Sequence, residues 1–291
     1  MSLRKALACL AVVAATLVNA SAAQVVVDDL GRKITLPHGA QRIIAIDPSS
    51  VEVLFAIGAG SRIVATTPFS NYPPEVAKIR KIDALTPSRE VIAALRPDLI
   101  MVADQTLTAQ RADAKSRIYG APLFVTNAST YEAVESDIRR IGGYFGDPKR
   151  TAATVREMAR TLADVRKRVA NRPRRTVFDI VWVKPLMTAG KDSFIGNLIA
   201  TAGGIDIACD APKYAEYPVE KLIAANPDFI LVASESLPAA RESLGRLGLK
   251  ALKTGRLCPI PDDYTVRPGP RLALGLVHLA KLLHPEAFAG K

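Results

Sequence analysis

One segment of this chain occurs twice, and that constrains its fold more than any other feature. Arg89 to Ala103 reads as a short helix, a Pro-Asp break at Pro97-Asp98 and an apolar strand. Val219 to Ala233 repeats the pattern, with Glu220 standing 130 positions after Glu90 and a second break at Pro227-Asp228. Solenoids need short periods and at least three copies, so two distant copies predict two lobes of similar build. A cleft between two such lobes is where a ligand would bind.

The intervening sequence supplies a rod. From Pro148 to about Ala170, Val155, Met158, Leu162, Val165 and Val169 form one apolar stripe at helical spacing. Asp147-Pro148 gives a start and Pro173 a stop. About 23 residues at 1.5 Å each span roughly 35 Å, a domain diameter. A flexible linker would instead be rich in glycine and serine.

Elsewhere strands and helices alternate, which predicts parallel sheets covered on both faces. Val25 to Leu36 reads as a hairpin turning at Asp29–Arg32. Arg42–Ile46, Ile63–Thr66, Pro122–Thr126, Thr176–Val183 and Leu257–Ile260 read as strands. Val51–Ile57, capped by Ser49 or Ser50, Thr108–Tyr119, Phe194–Ala202 and Leu272–Leu283 read as helices. The fold class expected is α/β: two Rossmann-like lobes joined by one long rigid helix. Its parts would be residues 1–23 as a signal peptide, 24–146 as the N-terminal lobe, 147–171 as the connecting helix and 172–291 as the C-terminal lobe.

The signal peptide is read from Arg4 and Lys5, the apolar run Ala6–Val18 and small residues around Ala20–Ala23. That run is too short to span a bilayer, and too little apolar sequence precedes Cys9 for a lipid-anchored start. The mature chain is therefore expected to be periplasmic. Cys209 and Cys258 could pair there or remain buried thiols.

The formal charge of +11 falls to +9 without Arg4 and Lys5, the excess gathering at Arg166–Arg168 and Arg172–Arg175. No nucleic-acid-binding motif accompanies these runs, so they read as a solvated basic face and no nucleic-acid partner is expected. Phosphate-loop, nucleophile-elbow and zinc-helix motifs are absent too. His38, His278 and His284 are poor metal candidates, and no resident cofactor or metal is expected.

The loops after predicted strands are instead aromatic and polar: Phe69 and Tyr72, then Trp182, Pro185 and Met187, then Tyr214 and Tyr217, then Asp263, Tyr264 and Arg267. Ligands of open α/β sheets bind beyond the carboxyl ends of the strands. Rings with a polar tip suit a bulky, flat ligand, although Trp182 and Met187 could equally be core and Tyr217 a helix cap.

Taken in order, Ser70–Pro74, Glu90–Asp98, Thr188–Ser193, Glu220–Asp228 and Asp263–Arg271 resemble the periplasmic solute-binding proteins for metal chelates. Those receptors serve ferric siderophores, haem and cobalamin, and the cobalamin-binding members are nearest in pattern. The resemblance covers Arg42 to Phe288 and implies a monomeric receptor, not an enzyme, delivering a small metal chelate to the permease of an inner-membrane ABC importer. It implies ligand contacts from Tyr72, Trp182, Met187, Tyr214, Asp263, Tyr264 and Arg267, and permease docking by Glu90 and Glu220. Val181, Met187 and the Ala84-Leu85 pair fall where the cobalamin-binding pattern has aromatic rings. Haem or a ferric siderophore in the same cleft is the alternative, with Tyr72 on ferric iron or Arg267 on a carboxylate arm. An exported enzyme using Asp47 or Asp263 lacks a paired catalytic group, and a zinc or manganese receptor lacks histidines.

Overall fold

The computed structural model describes residues 23–36, 40–83, 86–190 and 192–289, without the side chains of Asp262 and Tyr264. The expected signal segment, His38 and the Ala84-Leu85 pair lie outside the described residues. A hairpin of β1 (Gln24–Val27) and β2 (Lys33–Leu36) opens the chain. The first lobe follows as β3 (Ile43–Ala45), α1 (Pro48–Ala56), β4 (Ile63–Thr66), α2 (Arg89–Leu95), β5 (Leu99–Ala103), α3 (Ala109–Tyr119), β6 (Leu123–Thr126) and α4 (Tyr131–Phe145). The long helix α5 (Pro148–Val169) leads to the second lobe. That lobe comprises β7 (Arg175–Ile180), β8 (Met187–Thr188), α6 (Phe194–Thr201), β9 (Gly204–Asp206), β10 (Ala215–Glu216), α7 (Val219–Ala225) and β11 (Phe229–Ala233). It closes with α8 (Leu237–Leu244), α9 (Lys250–Lys253), β12 (Leu257–Ile260), α10 (Asp262–Thr265) and α11 (Leu272–Leu283). Among the described residues, no helix is long and apolar enough to cross a membrane.

The two main sheets are parallel and share one topology. Their strand orders are β4-β3-β5-β6 and β9-β7-β11-β12, so within each lobe the second strand lies beside the first and the third on its other side. The repeated segment supplies the third strand each time and explains its Pro-Asp pair. Each repeat helix ends on a left-handed residue, Arg96 (φ 45°) or Asn226 (φ 42°). Each aspartate then ties down the start of the neighbouring strand. Asp98 accepts from the Gln41 and Arg42 amides at 2.9 and 2.8 Å, and Asp228 accepts from the Thr176 amide at 3.0 Å. The repeat is thus a strand-registration device.

The two lobes also share an interior. One apolar cluster runs from Ile43, Leu54 and Met101 through Phe145, Met158, Leu162 and Val165 to Leu198, Leu231, Leu276 and Leu283. It therefore contains the expected stripe of α5. Separate clusters cover the remote sheet faces, around Ile92 and Ile100 in one lobe and Leu222 and Ile230 in the other.

Three local expectations need correction. The cap of α1 is Asp47, which accepts from the Ser50 amide, because Pro48 already occupies the first helical position; Ser49 and Ser50 lie inside the helix. Strand β7 stops at Ile180 rather than Val183, because the chain turns back on itself there: Val181 N donates to Met187 O and Met187 N to Trp182 O. Helix α4 has no counterpart in the sequence reading. Its Gly142 is a packing requirement, since a Cβ there would meet Thr151 Cγ2 of α5 at 2.2 Å.

The basic runs are partly spoken for. Arg166 pairs with Glu132, Arg168 pairs with Asp164 and covers the Phe288 ring, and Arg174 donates to the Gly204 carbonyl. Cys209 is exposed and Cys258 buried, and both are free thiols. His284 is buried against Gly203 O.

Candidate functional site

Each lobe's strand order reverses between its first and third strands, and the chain leaves those strands on the side where the lobes face each other. In such sheets the switch point opens a crevice beyond the strand ends. Two adjoining cavities lie there. One, of about 320 Å³, is lined by Asp47 after β3, Ala103–Thr106 at the end of β5, Thr126–Ala128 at the end of β6, and Phe194, Tyr214 and Val266 from the second lobe. The other, of about 250 Å³, shares Phe194, Tyr214 and Val266 and adds Asp179, Ile180 and Val181 from β7 and beyond, Ala233 of β11 and Ile260 of β12.

The walls differ in character. The first-lobe side is polar. Asp47 accepts from Ser50 Oγ at 2.6 Å and from the Ala103 amide at 2.8 Å, bridging the exits of β3 and β5. Burial pushes its carboxyl above the ordinary aspartate range, against the pull of the Ser50 and Ala103 hydrogen bonds. Asp104 closes its own turn through the Thr106 amide and hydroxyl. Gln105 donates to Ala128 O, while its buried Oε1 has no hydrogen-bond partner.

The second-lobe side is mainly apolar and aromatic, with Asp179 as its carboxylate. Tyr214 sits in the left-handed region (φ 54°) and is 43% exposed. Burial, then the nearby negative charge of Asp179, raises its phenol pKa above the usual value. Trp182 is 60% exposed on the β7–β8 turn, next to Val181, and its Nε1 donates to Lys184 O. Met187 is half-buried on β8.

The other expected ligand residues gather elsewhere. Tyr72 lines a separate hollow of about 360 Å³ between α1, α5 and the start of α11. Its ring lies beneath the Arg271 guanidinium, 4.1 Å from carbon to centroid. Arg271 forks onto buried Glu52 at 2.5 and 2.9 Å. Arg267 pairs with Asp263 at 2.9 Å and donates to Asn71 Oδ1 at 2.7 Å. This network stitches the Pro-rich loop and α1 of the first lobe to the segment before α11. Tyr72 and Tyr214 line different cavities. Tyr264 lies on α10, its side chain outside the described residues. Tyr217 is buried on Phe178 and is structural.

The sequence reading missed Asp104, Gln105, Phe194, Val266, Glu52 and Arg271 as site or seam residues. A positional signal existed for the first two, which directly follow the strand of the first repeat copy. Glu90 and Glu220 are both exposed in the first turns of α2 and α7. A hydrogen bond from Ser88 Oγ at 2.5 Å holds the Glu90 carboxyl below its usual pKa.

Comparison with known proteins adds four findings. The family described as "Periplasmic binding protein" matches residues 43–263. An uncharacterized ABC transporter substrate-binding lipoprotein of Bacillus subtilis is 28% identical over 91% of this chain and 87% of its own. The vitamin B12-binding protein of Salmonella typhimurium is 27% identical over 86% of this chain and 94% of its own. Among solved structures, a periplasmic haem-binding protein from Roseiflexus sp. RS-1 in apo form superposes with a TM-score of 0.73 at 25% identity, covering 86% of this chain and all of that one.

Proposed function

Since the chain belongs to the periplasmic binding protein family, we propose that it is an exported, monomeric receptor delivering a metal chelate, foremost a corrinoid of the cobalamin type, to an ABC importer. The observation that carries this reading is the paired cavity at the carboxyl ends of both sheets, with Tyr214, Phe194 and Val266 common to its two halves. A flat macrocycle would lie against those side chains, with Trp182 at the lip. The kinship to vitamin B12-binding proteins favours the corrinoid. Tyr72, Asp263 and Arg267 would act at the side of the cleft, through the network joining the lobes there, and Tyr264 completes the ligand set in this reading. Nothing in this role calls for catalysis.

Glu90 and Glu220 are the docking groups in this reading. They occupy equivalent places on the repeat helices and face solvent, available to cations of a permease. Exposed ion pairs are weak one by one, about 0–1 kcal/mol, but gain weight when an interface dries them.

The test is direct, because the protein contains one tryptophan. Titration with cyanocobalamin should quench Trp182 fluorescence saturably, with haemin and ferric siderophores as comparators. A protein that responds to no metal chelate is not this receptor.

A further inference from the structure

Helix α5 is buried on one side only. Its apolar stripe lies in the shared interior, and its opposite side is exposed along the whole rod. The helix carries seven cations against two acids, Glu157 and Asp164. Three of those cations are committed: Arg150 donates to Phe55 O, Arg166 pairs with Glu132 and Arg168 with Asp164. The other four, Lys149, Arg156, Arg160 and Lys167, are exposed and make no ion pair among the described residues. At about 3.6 residues per turn they point within about 40° of one another, directly opposite Met158 and Val165, in a straight row about 27 Å long. Exposed Ala152, Ala159 and Ala163 flank the row, so nothing bulky would hold a surface away from it. None of the four lines the cavities described above.

We propose that this row is a docking face for an anionic lipid surface, on which α5 lies flat and reversibly while the receptor is off its importer. The proposal rests on the receptor reading for one point, that the protein works beside a membrane. A flexible polyanion can wrap around cations anywhere on a protein, whereas a row kept straight by one rigid helix can be met all at once by a plane of phosphates. None of the large exposed apolar side chains lies on α5. Contact is therefore electrostatic, without insertion, and sensitive to salt. Each cation close to such a surface strengthens attachment about fivefold. Glu90 and Glu220 would be repelled by the same lipid, so the adsorbed receptor rests on α5 and the docked one on its glutamates.

Sedimentation of the full-length mature protein with vesicles tests this. Vesicles of phosphatidylcholine containing about a third phosphatidylglycerol should capture it at about 0.15 M salt and release it at about 1 M, where screening is complete within about 3 Å. Vesicles of phosphatidylcholine alone should not capture it. Arg156→Gln combined with Arg160→Gln should weaken capture about twentyfold, at about fivefold per charge. Glutamine suits an exposed helical position, so the unfolding midpoint and the cyanocobalamin titration should not move. Lys115→Gln with Arg117→Gln removes the same charge from exposed positions of α3 and should leave capture nearly unchanged. Equal loss in the two double variants, capture by neutral vesicles, or retention on soluble heparin without capture by vesicles overturns the inference. With chelate binding intact, those outcomes leave the receptor reading standing. Capture of a protein that answers no chelate removes that reading and leaves the lipid face.

Discussion

The two lobes share a frame and differ in what they mount on it. Both use the strand order second-first-third-fourth, a left-handed residue after the repeat helix, and an aspartate that registers the next strand. The exits of their first strands diverge. In the first lobe β3 runs straight into α1, presenting a helix start and the Asp47 carboxyl. In the second, β7 folds into a tight turn carrying exposed Trp182 before α6 begins. The shared parts hold the strands in register, and the divergent parts give the cleft one polar and one aromatic wall.

If the repeat helices dock symmetrically, Glu90→Ala combined with Glu220→Ala should abolish ligand uptake while leaving chelate affinity unchanged, checked by transport and fluorescence titration in parallel. Retained uptake breaks the functional half of the comparison. The seam between the lobes comes next in size. Glu52 is 3% exposed, and Glu52→Ala would strand Arg271 without its buried partner, at a cost of about 3–5 kcal/mol by denaturant unfolding.

The registration aspartates give a finer test. Asp98→Ala and Asp228→Ala should each cost about 1–3 kcal/mol. The second substitution also has a pH signature. Burial raises the Asp228 carboxyl, but the Lys250 ammonium and Thr176 groups outweigh it, so the folded pKa lies below the ordinary value. A carboxylate with a depressed folded pKa stabilises above its unfolded pKa and loses that contribution as pH falls through the folded one. The Asp228→Ala deficit should therefore be full at neutral pH and fade below about pH 4. Smallest is the helix-end residue. Arg96→Gly should stabilise by about 1 kcal/mol, relieving a positive φ. Asn226→Gly should gain less, because Asn226 Oδ1 accepts from the Lys250 amide at 2.7 Å.

The frame was legible because periodic burial writes itself into sequence: the α5 stripe, the bounds of α11 and both repeats follow from where apolar residues fall. Helix α4 escaped because Gly142-Gly143 looks like a break, and only the approach of Thr151 reveals why a glycine is needed. The site was half legible. Tyr214 and Trp182 stood out as aromatic loop residues near strand ends. That Tyr72 would lie under Arg271, in a hollow of its own, depends on a fork to Glu52 across 219 positions, and no local pattern encodes such a partner.

The interior that runs unbroken from one sheet through the long helix to the other makes the molecule a caliper locked at one setting. Such an interior predicts that the gap between Glu90 and Glu220 stays nearly the same with cargo or without it. Under the proposed docking, a transporter gripping those glutamates would gain no news of occupancy from their spacing, and the loaded state would have to be recognised at the lips of the cleft, beside Trp182.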